Sequence, residues 1–307
     1  MIGIQAIASY IPSTRESNYL KKKQFDIKDN FLESKIGVLQ KPRKADDEET
    51  SDMCVRAFEA LTKKDNVQNN EIDCIIVCTQ NPDGNGLPHT SAIVHGKIYG
   101  KDNCAAFDIS LGCSGYIYSL SVASSFMAAN ALKKGLLFTA DPYSKIVDPE
   151  DKNTSLLFGD AATVTLLSEE PVLKISNIAF GTRGKDYESL QRKGNRLQMN
   201  GRAIFNFSMT VVPPQIQKIV KSFNHGLDDI DLFVLHQGSK YIVDMLRRRM
   251  NLDINKVPTK LADCGNTISS SIPLILEDYL NRPEYKNIVI SGFGVGLSWA
   301  SAILNRV

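Results

Sequence analysis

Long apolar runs are missing. No window of the 307-residue chain approaches the ~18 consecutive apolar residues of a membrane span, so none is expected. The opening MIGIQAIASYIPSTRES has no charged segment followed by a long apolar core, as a secretion signal would, and a cytoplasmic protein is expected. Charge of one sign is also missing. With 36 basic and 34 acidic side chains the net charge is +2, too small to create a field that draws the chain to nucleic acid or membrane. The six cysteines, at 54, 74, 78, 104, 113 and 264, form neither the CxxC pairs of a zinc site nor the dense spacing of a disulfide scaffold. No metal is expected, and five of them suit the role of small buried hydrophobes. No Gly/Ser linker or low-complexity segment divides the chain.

What is present is alternation. GIQAIASYI is predicted as a strand, SDMCVRAFEALTKK as a helix capped by Ser51, and CIIVCTQ as a strand. PHTSAIVHGKIYG is predicted as a helix opened by Pro88, CAAFDIS as a strand, and GLLFTAD and ATVTLLS as two more. From Pro171 the order repeats. VLKISNIAFG and DLFVLH are predicted strands, FNFSMTVVPPQIQKIVKSF a helix that Pro213 and Pro214 should bend, and SKYIVDMLRRRM and TISSSIPLILEDYL helices. NIVISGF and LSWASAILN follow as strands. Such alternation predicts an α/β protein of two βαβαβ halves, residues 1–170 and 171–307. The charged tract from Phe25 to Thr50 has little periodicity, and suits either a solvated excursion or the rim of a site for a charged ligand.

In FDISLGCSGYIYSLSVASSFMAANAL a strand turns through Leu111 and Gly112 into a long helix whose first side chain is Cys113. A cysteine at a helix N-terminus feels unpaired N–H groups that favour the nucleophilic thiolate, and the sheet's C-terminal edge is where α/β proteins hold ligands. A nucleophilic cysteine needs partners. Of the four histidines, His236 alone ends an apolar strand, before Gln237 and Gly238; His89, His95 and His225 suit ordinary surface or helix-packing roles. Asn266 lies in a Gly-Asn-Thr turn before a helix and would serve equally as a cap. The glycine-spaced turn SGFGVGLSW would suit a hairpin or a close backbone approach to substrate.

GCSG with its helix, LLFGDAATVTLL, HQGSK, GNTISSSIP and GFGVGLSWASAIL, in this order from about Gly3 to Leu304, resemble the ketoacyl-ACP synthase III branch of the thiolase-like condensing enzymes. The resemblance implies a layered α/β/α/β/α fold, a Cys113–His236–Asn266 triad, a homodimer paired through CAAFDIS, and no cofactor beyond CoA or acyl-carrier-protein thioesters as substrates. It implies acyl transfer to Cys113, then decarboxylative condensation with a malonyl thioester to a 3-oxoacyl thioester, in fatty-acid initiation or a specialised acyl or polyketide pathway. The backbone N–H groups of Cys113 and Gly296 would form an oxyanion hole. Leu87, Phe158 and Phe205 would shape the acyl pocket, Leu87 from the partner subunit, with Asp160 structural and Gly115 a place where a side chain would crowd the tunnel. Phe31, Lys35, Lys152, Asn153 and Ser239 fall at the thioester entrance, where the family more often has tryptophan, arginine, arginine, glycine and asparagine. Lys240, Arg247, Arg248 and Arg249 are candidates for docking an acidic carrier protein. Transfer of the acyl group to an alcohol or amine, or a non-catalytic partner subunit, are the alternatives. Thiolases place a second cysteine near the last glycine turn, and SGFGVGLSW has none.

Overall fold

The computed structural model describes residues 1–307. Its strands are β1 Gly3–Tyr10, β2 Arg15–Ser17, β3 Gln40–Pro42, β4 Cys74–Cys78, β5 Ala105–Ile109, β6 Lys134–Ala140, β7 Ala162–Ser168, β8 Leu173–Thr182, β9 Leu190–Lys193, β10 Arg196–Met199, β11 Leu232–Leu235, β12 Asn287–Gly294 and β13 Ser298–Arg306. The α-helices are α1 Lys22–Phe25, α2 Thr50–Asp65, α3 Thr90–Lys97, α4 Gly115–Ala129, α5 Lys152–Ser155, α6 Gly201–Ser222, α7 Lys240–Arg249, α8 Leu261–Cys264 and α9 Ser271–Leu276.

Nine strands join in the order β11-β12-β13-β8-β1-β7-β6-β4-β5. The pairing pattern occurs twice. β1 is antiparallel to β7, β7 antiparallel to β6, and β6 parallel to β4. Likewise β8 is antiparallel to β13, β13 antiparallel to β12, and β12 parallel to β11. The two sets meet only at Ile4 and Leu173, so the sheet can fold over the helices between its arms.

Those inner helices are α4, which packs on β4 and β6 on one side and β12 and β13 on the other, and α9, which touches β1, β7, β11 and β12. A helix covered on both sides must be apolar around most of its circumference, and GYIYSLSVASSFMAA is. Outside one arm lie α2 and α3, outside the other α6 and α7. Three apolar clusters fill the intervening spaces, one between the arms around α4 and α9, and one beneath each outer pair of helices. This is the layered thiolase-like arrangement. β4, CIIVC, is buried at every position, as a parallel strand covered on both faces must be.

Several helix starts differ from expectation. α2 is capped by Glu49, whose N–H donates to Asp52 at 2.9 Å; Ser51 is inside the helix and gives its N–H and hydroxyl to Asp83. α3 starts at Thr90, two residues after Pro88, and the Asp108 carboxylate accepts the N–H groups of Thr90 and Ser91. α4 starts at Gly115 with Ser114 as its cap, so Cys113 lies just before the helix. α6 runs through Pro213 and Pro214 as one helix of 22 residues. Within the charged tract, residues Phe31–Ile36 form a wide helical turn and Gln40–Pro42 pairs with Arg15–Ser17.

Candidate active site

Cys113 follows β5 and is 5% exposed. The end of β12 closes over it: a Cβ on Gly294 would lie 2.8 Å from the Cys113 Sγ, so only glycine brings the backbone this near. Two amides turn toward the sulphur, those of Val295 and of Cys113 itself, and both favour the thiolate. Burial outweighs them and pushes the thiol up to about 12. Burial thus favours the neutral thiol at rest, against the pull of the two amides toward the thiolate. The structure also replaces Gly296 by Val295 as the second amide. Gly296 is one residue further on, where a Cβ would press against Ser298 at 3.0–3.2 Å. At Gly115 an added Cβ would meet the Cys78 sulphur at 2.4 Å, so that glycine serves packing beneath α4.

His236 is the first residue after β11, its N–H bonded to the Ser291 carbonyl at 2.8 Å. The ring is 2% exposed, lies edge-on to Phe293 with centroids 5.5 Å apart, and has Nδ1 2.8 Å from the Ser271 hydroxyl. Burial lowers its pKa to about 3 against the pull of the Ile268 carbonyl. The imidazole is thus neutral, with one N–H to give. Asn266 is held by backbone bonds rather than by capping a helix: its N–H donates to Leu157 O at 2.8 Å, and its carbonyl accepts from Gly159 at 3.1 Å. Oδ1 accepts the Ile268 N–H at 2.9 Å, which fixes the amide orientation and leaves the NH₂ as the donor. Asp160, fully buried, accepts the Lys44 and Ser144 N–H groups and ties down the loops beside the site.

Cys113, His236 and Asn266 line one cavity of about 220 Å³, and Phe158 and Phe205 form part of its apolar wall. All five entrance residues, Phe31, Lys35, Lys152, Asn153 and Ser239, line it too, so part of the charged tract is the rim of a site. The rim sits directly on α7, since a Cβ on Gly37 would fall 2.3 Å from that of Lys240. Lys35 Nζ lies 3.8 Å from the centre of the Tyr241 ring, Tyr241 stacks on Phe205 at 5.2 Å, and Lys152 Nζ is 5.3 Å from the Phe31 ring centre. Cations over aromatic faces make a mouth that favours anionic groups at its edge.

Leu87 does not line the chain's own cavity; it is 88% exposed, ahead of α3. Of the docking candidates, Lys240 is paired with Asp244 at 2.7 Å and Arg247 donates to the Leu252 carbonyl, whereas Arg248 and Arg249 are exposed. Sequence reasoning missed Tyr143, Leu190, Met199, Ile204 and Tyr241 in the cavity wall. Only Tyr241, adjoining HQGSK, carried a local signal. Leu190 and Met199 are brought in by the β9–β10 hairpin, whose sequence is polar and unremarked by any motif.

A buried cysteine, a neutral imidazole and an oriented primary amide around one apolar cavity, on this sheet, define an acyltransferase of the thiolase-like condensing class. The comparisons agree. Residues 107–184 match the model of 3-oxoacyl-[acyl-carrier-protein (ACP)] synthase III and residues 221–306 that of its C-terminal part. A beta-ketoacyl-[acyl-carrier-protein] synthase III of Streptococcus mutans is 34% identical over 98% of each chain, and one of Clostridium tetani 31% identical over 100% of this chain and 98% of the relative. The crystal structure of a 3-oxoacyl-(acyl-carrier protein) synthase from Burkholderia xenovorans superposes with a TM-score of 0.91 at 30% identity, covering 99% and 94% of the two chains. The chain belongs to the 3-oxoacyl-[acyl-carrier-protein] synthase III family.

Proposed function

We propose that the chain loads an acyl group from a CoA or carrier-protein thioester onto Cys113 and condenses it with a malonyl thioester. The observation that carries this reading is the convergence of Cys113, His236 and Asn266 on one apolar cavity with a cationic, aromatic mouth. In the first step the Cys113 sulphur attacks the thioester carbonyl, and its proton leaves with the departing thiol. The acyl oxygen rests against the amides of Val295 and Cys113, the two already turned toward the sulphur.

In the second step the malonyl thioester loses CO₂. Electrons from the breaking C–C bond form an enolate, whose oxygen accepts hydrogen bonds from His236 Nε2–H and the Asn266 NH₂ group. Neutral donors held in place by a folded frame stabilise such an oxygen without reorganising. The enolate carbon attacks the acyl-cysteine, the Cys113 thiolate departs and takes a proton from water, and the 3-oxoacyl thioester remains.

The working form is proposed to be a cytoplasmic homodimer paired through β5. That strand is at the edge of the sheet and half-buried along its whole length in the single chain, and Val122 and Phe180 are exposed apolar side chains elsewhere on the surface. Leu87 would then reach the partner's acyl pocket, and Arg248 and Arg249 would meet the acidic carrier. No helix is long and apolar enough to cross a membrane.

Intact-protein mass spectrometry tests the reading. One acyl thioester from a CoA and carrier-protein panel should add its acyl mass to the wild type and none to Cys113→Ala; malonyl-carrier thioester should then discharge it as the 3-oxoacyl product. Failure of every donor to load Cys113 would overturn it.

A further inference from the structure

We propose that Ser271 selects the tautomer of His236, and so decides whether the ring presents an N–H or a lone pair to the cavity; the inference rests on the condensation reading above. A neutral imidazole carries one proton, and the partner of one nitrogen fixes the state of the other. Nδ1 has two neighbours with different demands. The Ile268 carbonyl beside the ring can only accept. The Ser271 hydroxyl has one proton and two acceptors for it: it either donates to the Ile268 carbonyl at 3.0 Å and accepts from Nδ1, or donates to Nδ1 at 2.8 Å.

The Ile268 carbonyl also accepts the backbone N–H of Ser271, so turning the hydroxyl proton from that carbonyl to Nδ1 leaves no acceptor unsatisfied. Nδ1 has no other side-chain donor within hydrogen-bond distance. When Ser271 donates to Nδ1, Nε2 keeps the N–H that the enolate oxygen requires. Without the hydroxyl, Nδ1 faces only the carbonyl, takes the proton itself, and Nε2 turns a lone pair toward an oxygen that is gaining negative charge.

The backbone around this contact is itself unusual. Ile268 is a β-branched residue at φ +54° and fully buried, a conformation that persists where surrounding structure holds it, often at functional sites. Its N–H fixes the Asn266 amide and its carbonyl binds Ser271. One strained residue thus orients both proposed enolate donors, with Ser271 as the positioning residue on the histidine side.

The test is ¹⁵N-histidine NMR at pH 8 on wild type, Ser271→Ala and Ser271→Thr, beside the two half-reactions. The wild type should show His236 protonated at Nε2, Ser271→Ala should move the proton to Nδ1, and Ser271→Thr should restore it. Malonyl decarboxylation should fall by about 10²-fold or more in Ser271→Ala, the usual loss for one oxyanion donor, while acyl loading of Cys113 is retained and shows the variant to be folded. A wild type protonated at Nδ1, or an alanine variant still protonated at Nε2, would overturn the proposal. If the wild type neither loads nor decarboxylates, the condensation reading fails while the spectra still report the tautomer.

Discussion

Acidification from pH 8 to 5 should set two buried groups beside the nucleophile against each other. His236 titrates at an ordinary 6.5 in the unfolded chain and at about 3 in the native one. Below pH 6.5 the unfolded chain therefore binds a proton that the native chain refuses, and stability falls by about 1.4 kcal/mol per unit, reaching a loss of about 2 kcal/mol at pH 5. Asp141 runs the other way. Burial raises it from 3.8 to about 6, although the Gln80 N–H and the Ser269 hydroxyl and N–H favour the carboxylate. Between pH 6 and 4 the native chain holds the extra proton, and by pH 5 this returns about 1.4 kcal/mol. The pair together should cost the wild type less than about 1 kcal/mol over this range. Asp141→Asn removes the compensation and should lose the full ~2 kcal/mol, whereas His236→Gln should gain stability on acidification. Urea unfolding at pH 8, 6.5 and 5 measures this. Asparagine offers one acceptor where the carboxylate has two, so Asp141→Asn will be less stable at every pH, but the change with pH carries the test. Equal pH dependence in wild type and Asp141→Asn would refute the argument.

Gly294→Ala should abolish acyl loading of Cys113 in the mass-spectrometric assay, because the new Cβ falls 2.8 Å from the sulphur; melting should show a protein that still folds, destabilised by about 1–3 kcal/mol. Alkylation of resting Cys113 by iodoacetamide should rise about tenfold per pH unit from pH 7 to 10, following the small thiolate fraction of a group near 12, and a plateau near neutrality would reveal a thiolate instead. Tyr241→Ala removes the ring between Lys35 and Phe205 and should raise KM for the thioester donor by about 2- to 30-fold, the range of a cation–π contact, with kcat little changed.

The positions of Cys113 and His236 were legible because an apolar strand followed by glycine and a helical pattern places the intervening residue at a sheet edge, whatever the rest of the fold. Asn266 needed the resemblance, since a Gly-Asn-Thr turn before a helix reads equally as a cap, and the bonds that hold it come from Leu157 and Gly159, far away in sequence. The pull of backbone N–H groups on the Cys113 thiolate was legible, but the larger and opposite effect of burial was not, because burial sums atoms from the whole fold; the helix also begins two residues later than the pattern suggests. Val295 was missed beside Gly296 because glycines flank the turn on both sides, and which amide turns inward depends on the β12–β13 register. The hairpin that supplies Leu190 and Met199 has no apolar period to mark it.

The buried neutral thiol also bears on how the protein survives. Oxidants and stray electrophiles act chiefly on exposed thiolates, and at rest Cys113 is neither exposed nor ionised. Its nucleophilicity would emerge only when a carbonyl occupies the space before the Val295 and Cys113 amides, so the fold that shapes the reaction also shelters the sulphur from peroxide between turnovers.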